Sequence, residues 1–142
     1  MLVREIMTEH VKCLSPQATL QQAADQMRAY DVGALPICDS DRLTGMITDR
    51  DLIIRGMARG LDPSTTLVQD VMSGDVIYCF DGDQVEEAVS LMENHQVRRI
   101  IVLNTERRLA GILSLGDVAV RTRDFELSGE ALEQVSEPAL FA

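Results

Sequence analysis

Two stretches of the 142-residue chain carry one chemical pattern: Gly45-Met46-Ile47-Thr48-Asp49-Arg50-Asp51 and Gly111-Ile112-Leu113-Ser114-Leu115-Gly116-Asp117. Each reads glycine, two apolar residues, a hydroxyl, two spacers and an aspartate. At a strand-to-helix junction this spacing lets the hydroxyl and free backbone N–H groups face an anion, while the aspartate one turn later accepts from two sugar hydroxyls. That chemistry suits a ribose phosphate. A purely structural alternative stands beside it, because Thr48-x-x-Asp51 and Ser114-x-x-Asp117 are also capping boxes open to any helix. Two copies in register, each with its glycine, favour the ligand, since a cap needs no glycine three residues before the hydroxyl.

The elements that must position these motifs come from an internal repeat. Shifted on itself so that Val3 falls on Val68, the chain also aligns Met7 with Met72, Val11 with Val76, Ala23 with Ala88, Met27 with Met92 and Val32 with Val97. Past one inserted residue near Arg107, Gly45 falls on Gly111 and Asp51 on Asp117. The period predicts a strand around Val11-Lys12-Cys13-Leu14 and again around Val76-Ile77-Tyr78-Cys79. Helices follow, with capping chemistry from Thr19 and Gln22 in one repeat and from Asp83 and Glu86 in the other. Hairpins pair Ala34 to Cys38 with Leu43 to Ile47, and Arg99 to Leu103 with Leu109 to Leu113. A last helix starts near Thr48 and near Ser114. The expected fold class is therefore α/β (α+β), two β-α-β-β-α repeats packed about a pseudo-twofold axis, because one repeat of roughly 60 residues buries too little surface alone. The expected division is residues 1–60, residues 61–123, and an acidic helix or tail over 124–142, where Ser128, Ala131, Leu132 and Val135 share one face.

Composition narrows the function classes. With 46% hydrophobic residues the chain can pack a core, and 13 Lys and Arg against 23 Asp and Glu leave a net charge of −10. That field disfavours nucleic acid polymers and anionic membranes as partners. No apolar run nears the length of about 20 residues that spans a bilayer, and no signal peptide pattern opens the chain, so a cytoplasmic location is expected. No Gly-x-Ser-x-Gly elbow, His-Glu-x-x-His pair or phosphate loop is present, and an enzyme is not expected.

The repeated pattern resembles a tandem pair of cystathionine β-synthase (CBS) domains over about Val3 to Arg121, on the two motifs together with Val32-Gly33-Ala34-Leu35-Pro36-Ile37 and His95-Gln96-Val97-Arg98-Arg99-Ile100. It is similar to stand-alone pairs, and between Gly33 and Pro63 to hypoxic response proteins. The resemblance implies a regulatory module that binds an adenosine-containing ligand (AMP, ADP, ATP, S-adenosylmethionine or NAD) in clefts between the repeats and signals by changing shape, with no required cofactor. By the same resemblance Asp51 and Asp117 would hold ribose hydroxyls and Thr48 and Ser114 would approach phosphate or ribose. Backbone at Lys12-Cys13 or Ile77-Tyr78 would meet adenine, Pro36 and Ile37 would wall the base, and Arg98 or Arg99 would take phosphate, completing the Thr48 and Asp51 pocket. The two sites are expected to be unequal, since Gly33-Ala34 stands where the second repeat has Arg98-Arg99, and Ile101 where the first has Pro36. A homodimer through the helices is also implied, with an unidentified protein target for the signal.

Other readings stay open. Cys13 and Cys38 fall on neighbouring strands in such a fold, so a disulfide is conceivable, or a metal clip with His10, although strand cysteines are commonly small buried hydrophobes. Arg98 and Arg99 also suit a solvated helix end. Met27, Met72 and Met92 read as core filler, against the rival of a sticky interaction scaffold without nucleotide.

Overall fold

The computed structural model describes residues 1–138. In chain order its elements are α1 (Val3–Ile6), α2 (Leu20–Tyr30), β1 (Ala34–Asp39), β2 (Arg42–Thr48), α3 (Asp49–Asp51), β3 (Tyr78–Phe80), α4 (Val85–His95), β4 (Arg99–Leu103), β5 (Leu109–Ser114), α5 (Leu115–Thr122) and α6 (Phe125–Ser136). This is the α+β class expected from the period. Two compact units form: one is Val11–Val76, the other joins Met1–His10 to the chain from Ile77 onward. Unit and sequence repeat are thus offset, because the segment that opens each repeat packs with the strands of the other. Thr8 bridges Ile112 in one unit and Ser73 bridges Met46 in the other, both antiparallel.

In the Val11–Val76 unit, Thr19 caps α2 as expected: its hydroxyl accepts from the Gln22 N–H at 3.1 Å, and the Gln22 side chain accepts from the Thr19 N–H at 2.9 Å. Asp31 ends the helix in the left-handed region, at φ 53°. Leu20, Ala23 and Met27 face inward against Leu35, Ile37, Ile47, Val68 and Val71. Full burial of an Ile37 or Ile47 side chain contributes about 1.5–3 kcal/mol. The antiparallel hairpin of β1 and β2 carries these residues. After Thr48 the helix widens: α3 runs into a π-helical turn at Leu52–Gly56 and a 3-10 turn at Met57–Arg59, closed by Gly60 at φ 72°.

The predicted strand at Val11 to Leu14 does not form a ladder here. Only Leu14 bridges β1, giving its N–H to the Pro36 carbonyl and accepting from the Cys38 N–H, both at 2.9 Å. The next parallel rung would need an N–H from Pro36 to the Lys12 carbonyl, and proline has none. In the other unit Ile101 occupies that place and donates to the Ile77 carbonyl at 3.2 Å. There β3 pairs with β4 through Tyr78, Cys79 and Phe80, and β5 completes a three-stranded sheet. The strand begins at Tyr78, not at Val76.

The second helical cap also differs from expectation. Asp83 does not cap α4; its carboxylate accepts from the Phe80 N–H at 2.9 Å within the preceding turn. Gln84, which the repeat aligns with Thr19, sits at the N-cap with no side-chain bond to the helix. The Asp83 and Glu86 pair was one residue out of step with the repeat. Met27 and Met92 are core residues, 7% and 0% exposed, and Met72 packs on the core of its unit. At the C-terminal end α6 docks: Ser128, Ala131 and Val135 are buried, and the last two join the core that contains Val89, Met92 and Val118 of α4 and α5. Leu132 lies off that face, 48% exposed. The last part of the predicted 124–142 tail, residues 139–142, lies outside the described residues.

Candidate functional site

Both motifs stand at strand-to-helix junctions. The Thr48 hydroxyl accepts from the Asp51 N–H at 3.1 Å, and Asp51 Oδ2 accepts from the Thr48 N–H at 2.9 Å. Ser114 and Asp117 repeat the arrangement at 2.9 and 3.0 Å. The capping boxes are therefore real. Each leaves one carboxylate oxygen unused by the cap. The glycines also have a structural cause. A Cβ on Gly45 would lie 2.8 Å from the Ser73 carbonyl oxygen, and one on Gly111 would run into that of Thr8. These are the points where the bridging segments cross the hairpins, so the glycines are required by close backbone approach and do not by themselves separate ligand binding from capping.

The aspartates differ in what else they hold. Thr8 directs its hydroxyl at Asp117, 3.4 Å from Oδ2 and 3.5 Å from Oδ1. Ser73, its counterpart, makes no such bond to Asp51, whose Oδ1 faces the Arg55 guanidinium at 3.9 Å. Thr8 escaped the sequence reading, although the repeat aligns it with Ser73, both hydroxyl residues. Arg99 pairs with Ser114 across β4 and β5, and the Arg98 carbonyl accepts from the Leu115 N–H at 2.9 Å. Arg98 and Arg99 line one pocket of about 500 Å³ with Ser114, Leu115 and Gly116, roofed by Phe125, Ser128 and Leu132. At the matching place in the other unit, the Gly33 carbonyl accepts from the Asp49 N–H, and the nearer Asp49 carboxylate oxygen lies 2.9 Å from where a Gly33 Cβ would be. One unit presents two guanidiniums there; the other presents a carboxylate.

The remaining predicted residues fall as follows. Lys12 and Cys13 are exposed on the segment before Leu14. Pro36 is buried in β1, and Ile37, at 0% exposure, is a core side chain. Ile77 precedes β3, while Tyr78 is 38% exposed and meets Phe80 edge-on at 5.8 Å. The Cys13 and Cys38 sulfurs are joined, with Cα atoms 5.8 Å apart. That pairing corrects the metal clip through His10, Cys13 and Cys38, because both sulfurs are engaged with each other; among the described residues no group of three His, Cys, Asp or Glu side chains gathers as a metal site. Cys79 is the free cysteine, buried in its core, and burial with the nearby Asp83 and Asp81 charges pushes its thiol up to about 12. No helix among the described residues is long and apolar enough to cross a membrane.

The chain is similar to known proteins in sequence and fold. The family model for the CBS domain matches residues 3–57 and again 68–122. Hypoxic response protein 1 of Mycobacterium tuberculosis is 45% identical over 117 residues, covering 82% of this chain and 81% of that protein. The CBS domain-containing protein YhcV of Bacillus subtilis is 39% identical over 134 residues, covering 94% of each. Among solved structures, Hypoxic Response Protein I with two coordinated zinc ions superposes with a TM-score of 0.77 at 44% identity, covering 84% of this chain and 97% of that one. A CBS domain protein from Pyrobaculum aerophilum, solved in complex with AMP, gives a TM-score of 0.80 at 25% identity and covers 91% and 99%. With two matched domains spanning most of its length, the chain belongs to the CBS domain family and carries a tandem CBS pair.

Proposed function

We propose that the protein is a non-catalytic sensor of an adenosine-containing ligand, with AMP as the first candidate. The observation that carries this is the doubled hydroxyl-x-x-aspartate junction, in which each cap leaves one carboxylate oxygen over. A vicinal diol supplies two donors to such a carboxylate. The relative solved with AMP supports the ligand class. Thr48 and Asp51 form the stronger half-site, since among the described residues no side-chain hydroxyl donates to Asp51, whereas Thr8 sits on Asp117. Backbone at Lys12-Cys13 or at Ile77-Tyr78 meets the base, with Pro36 beside the former, and Arg98 or Arg99 meets phosphate.

As a sensor the module acts by preferring one shape when liganded. Its partner in assembly is a second copy, seated on the α2 and α3 face. That face bears an apolar groove of about 560 Å³ lined by Leu20, Ala24, Met27, Leu52, Ile53 and Met57. Asp49 is the one charged residue lining that groove, and Ile53 and Met57 on it are half or more exposed, an apolar surface that suits an isologous contact. The α4 and α5 face is instead covered by α6, whose flanks carry Glu126, Glu130, Glu133 and Glu137 without a basic residue.

Calorimetry and thermal shift against AMP, ADP, ATP, S-adenosylmethionine, NAD and adenosine test the proposal, because a ligand that binds the folded state raises stability by mass action. Saturable stabilisation by one of them, lost in Asp51→Ala, is the expected result. No response to any of them overturns it and leaves an interaction scaffold. The double variants Asp51→Ala/Arg98→Ala and Asp117→Ala/Arg98→Ala assign the arginine: it serves the motif whose loss makes Arg98→Ala silent.

A further inference from the structure

We propose that Cys13 and Cys38 form a redox latch on the nucleotide site, pinning the Lys12-Cys13 backbone as a disulfide and releasing it as two thiols. This deepens the nucleotide reading and rests on it for the ligand. The chain from Val11 to Leu14 is fastened to β1 by the two backbone hydrogen bonds at Leu14 alone, because Pro36 offers no N–H to Lys12. The other unit completes that rung through Ile101 and forms β3. It has no sulfur pair at the corresponding place, where Tyr78 and Leu103 stand for Cys13 and Cys38. A covalent tie thus occurs in the unit where the ladder is cut, and it joins residues 25 apart in sequence.

The positions of the two sulfurs suit exchange. Cys13 is exposed and lines an open pocket of about 400 Å³ with Leu14, Ser15, Ala18 and Gln22, whereas Cys38 is 9% exposed. A small-molecule disulfide such as glutathione disulfide therefore meets Cys13 first. The Cys13 thiolate attacks one sulfur of it, expelling one thiolate and leaving a mixed disulfide; Cys38, deprotonated, then attacks Cys13 and expels the second. In sum two protein thiols and one small disulfide become the Cys13–Cys38 bond and two small thiols. Glutathione reverses the sequence. Cys79, buried in the other unit at 2% exposure, takes no part.

A pinned segment loses less freedom when a base binds its backbone, so the oxidised form binds more tightly. AMP titrations by calorimetry, on full-length protein oxidised with glutathione disulfide or reduced with a phosphine and checked by counting free thiols, read this directly. The expected result is a Kd at least about fivefold lower in the oxidised form, with AMP shifting the glutathione equilibrium of the pair by the same factor, since coupling is reciprocal. Cys13→Ser and Cys38→Ser are expected to bind like the reduced protein under both conditions. Equal Kd in the two forms overturns the latch and leaves the sensor standing. Absence of binding by AMP and its relatives in both forms overturns the sensor and the latch together.

Discussion

Arg98 donates from Nη2 to the Ser136 hydroxyl at 3.1 Å, so a guanidinium proposed to meet phosphate is held by the last turn of α6. Gln96 joins the same contact, its side-chain amide donating to the Gln134 and Glu137 carbonyls at 3.2 and 2.9 Å. Arg98 and Gln96 thus both contact the end of the acidic helix. Arg98 lies beyond α4, which ends at Gln96 in the left-handed region, and its exposed guanidinium stands at the C-terminal end of α6.

Replacing Arg98 or Arg99 by alanine is expected to weaken AMP while leaving adenosine nearly unchanged. A hydrogen bond to a charged group contributes about 1.5–3 kcal/mol, or roughly ten- to hundredfold in Kd. Parallel titrations with AMP and adenosine check this, and equal losses for both ligands refute the phosphate role.

Asp51 separates capping from binding through the conservative variant. Asp51→Asn keeps one oxygen to accept from the Thr48 N–H but loses the charge, so the melting temperature should hardly move while nucleotide affinity drops. Asp51→Ala keeps the Thr48 hydroxyl cap on the residue 51 N–H but also loses the reciprocal bond from the Thr48 N–H, at a cost of about 1 kcal/mol. Chemical denaturation beside calorimetry reads both effects, and unchanged affinity in both variants means that the motif is a cap alone.

Gly111→Ala tests the crossing of the Thr8 segment over β5. The new methyl meets the Thr8 carbonyl oxygen, and backbone cannot step aside as a flexible side chain can. Overpacking of this kind costs about 1–3 kcal/mol. A lowered urea midpoint is expected, with faster amide exchange at Thr8 and Ile112.

Cys79 gives the chain an alkaline limit. Its folded thiol is raised to about 12, above the value of 9.0 for a free cysteine, so the unfolded state ionises first as pH rises. The stability that the neutral thiol contributes is whole below about pH 9 and is lost as pH climbs towards 12. Urea midpoints from pH 8 to 11 should fall less steeply in Cys79→Ala, and iodoacetamide at pH 8 should leave Cys79 unmodified in the folded protein.

Charge introduced on the α2 and α3 face should abolish the proposed homodimer. Ile53→Asp or Met57→Asp places a carboxylate on residues that are 50% and 70% exposed in the single chain, whereas Val120→Asp, at 74% exposure on α5, should leave assembly intact. Sedimentation equilibrium distinguishes them. A dimer that survives Ile53→Asp and dissociates with Val120→Asp places the contact on the other unit.

What the sequence determined by itself lies within a few residues of each position. Thr19 with Gln22, Thr48 with Asp51 and Ser114 with Asp117 satisfy backbone groups one turn away, and the spacing of Leu20, Ala23 and Met27 needs only the pitch of a helix. The doubled motif was legible for the same reason, and the repeat made the two hairpins legible together. Asp83 shows the limit of this, since a cap one residue out of step looks alike in sequence until the chain turns at Phe80. Tertiary structure decided whatever depends on residues far apart in the chain. Pro36 silences the strand at Val11 to Leu14 only because β1 lies beside it, and Gly111 is required only because Thr8 crosses it. Cys13 finds Cys38, and α6 closes over α4, through contacts that no local period encodes, because burial and hydrogen bonding act on neighbours in space.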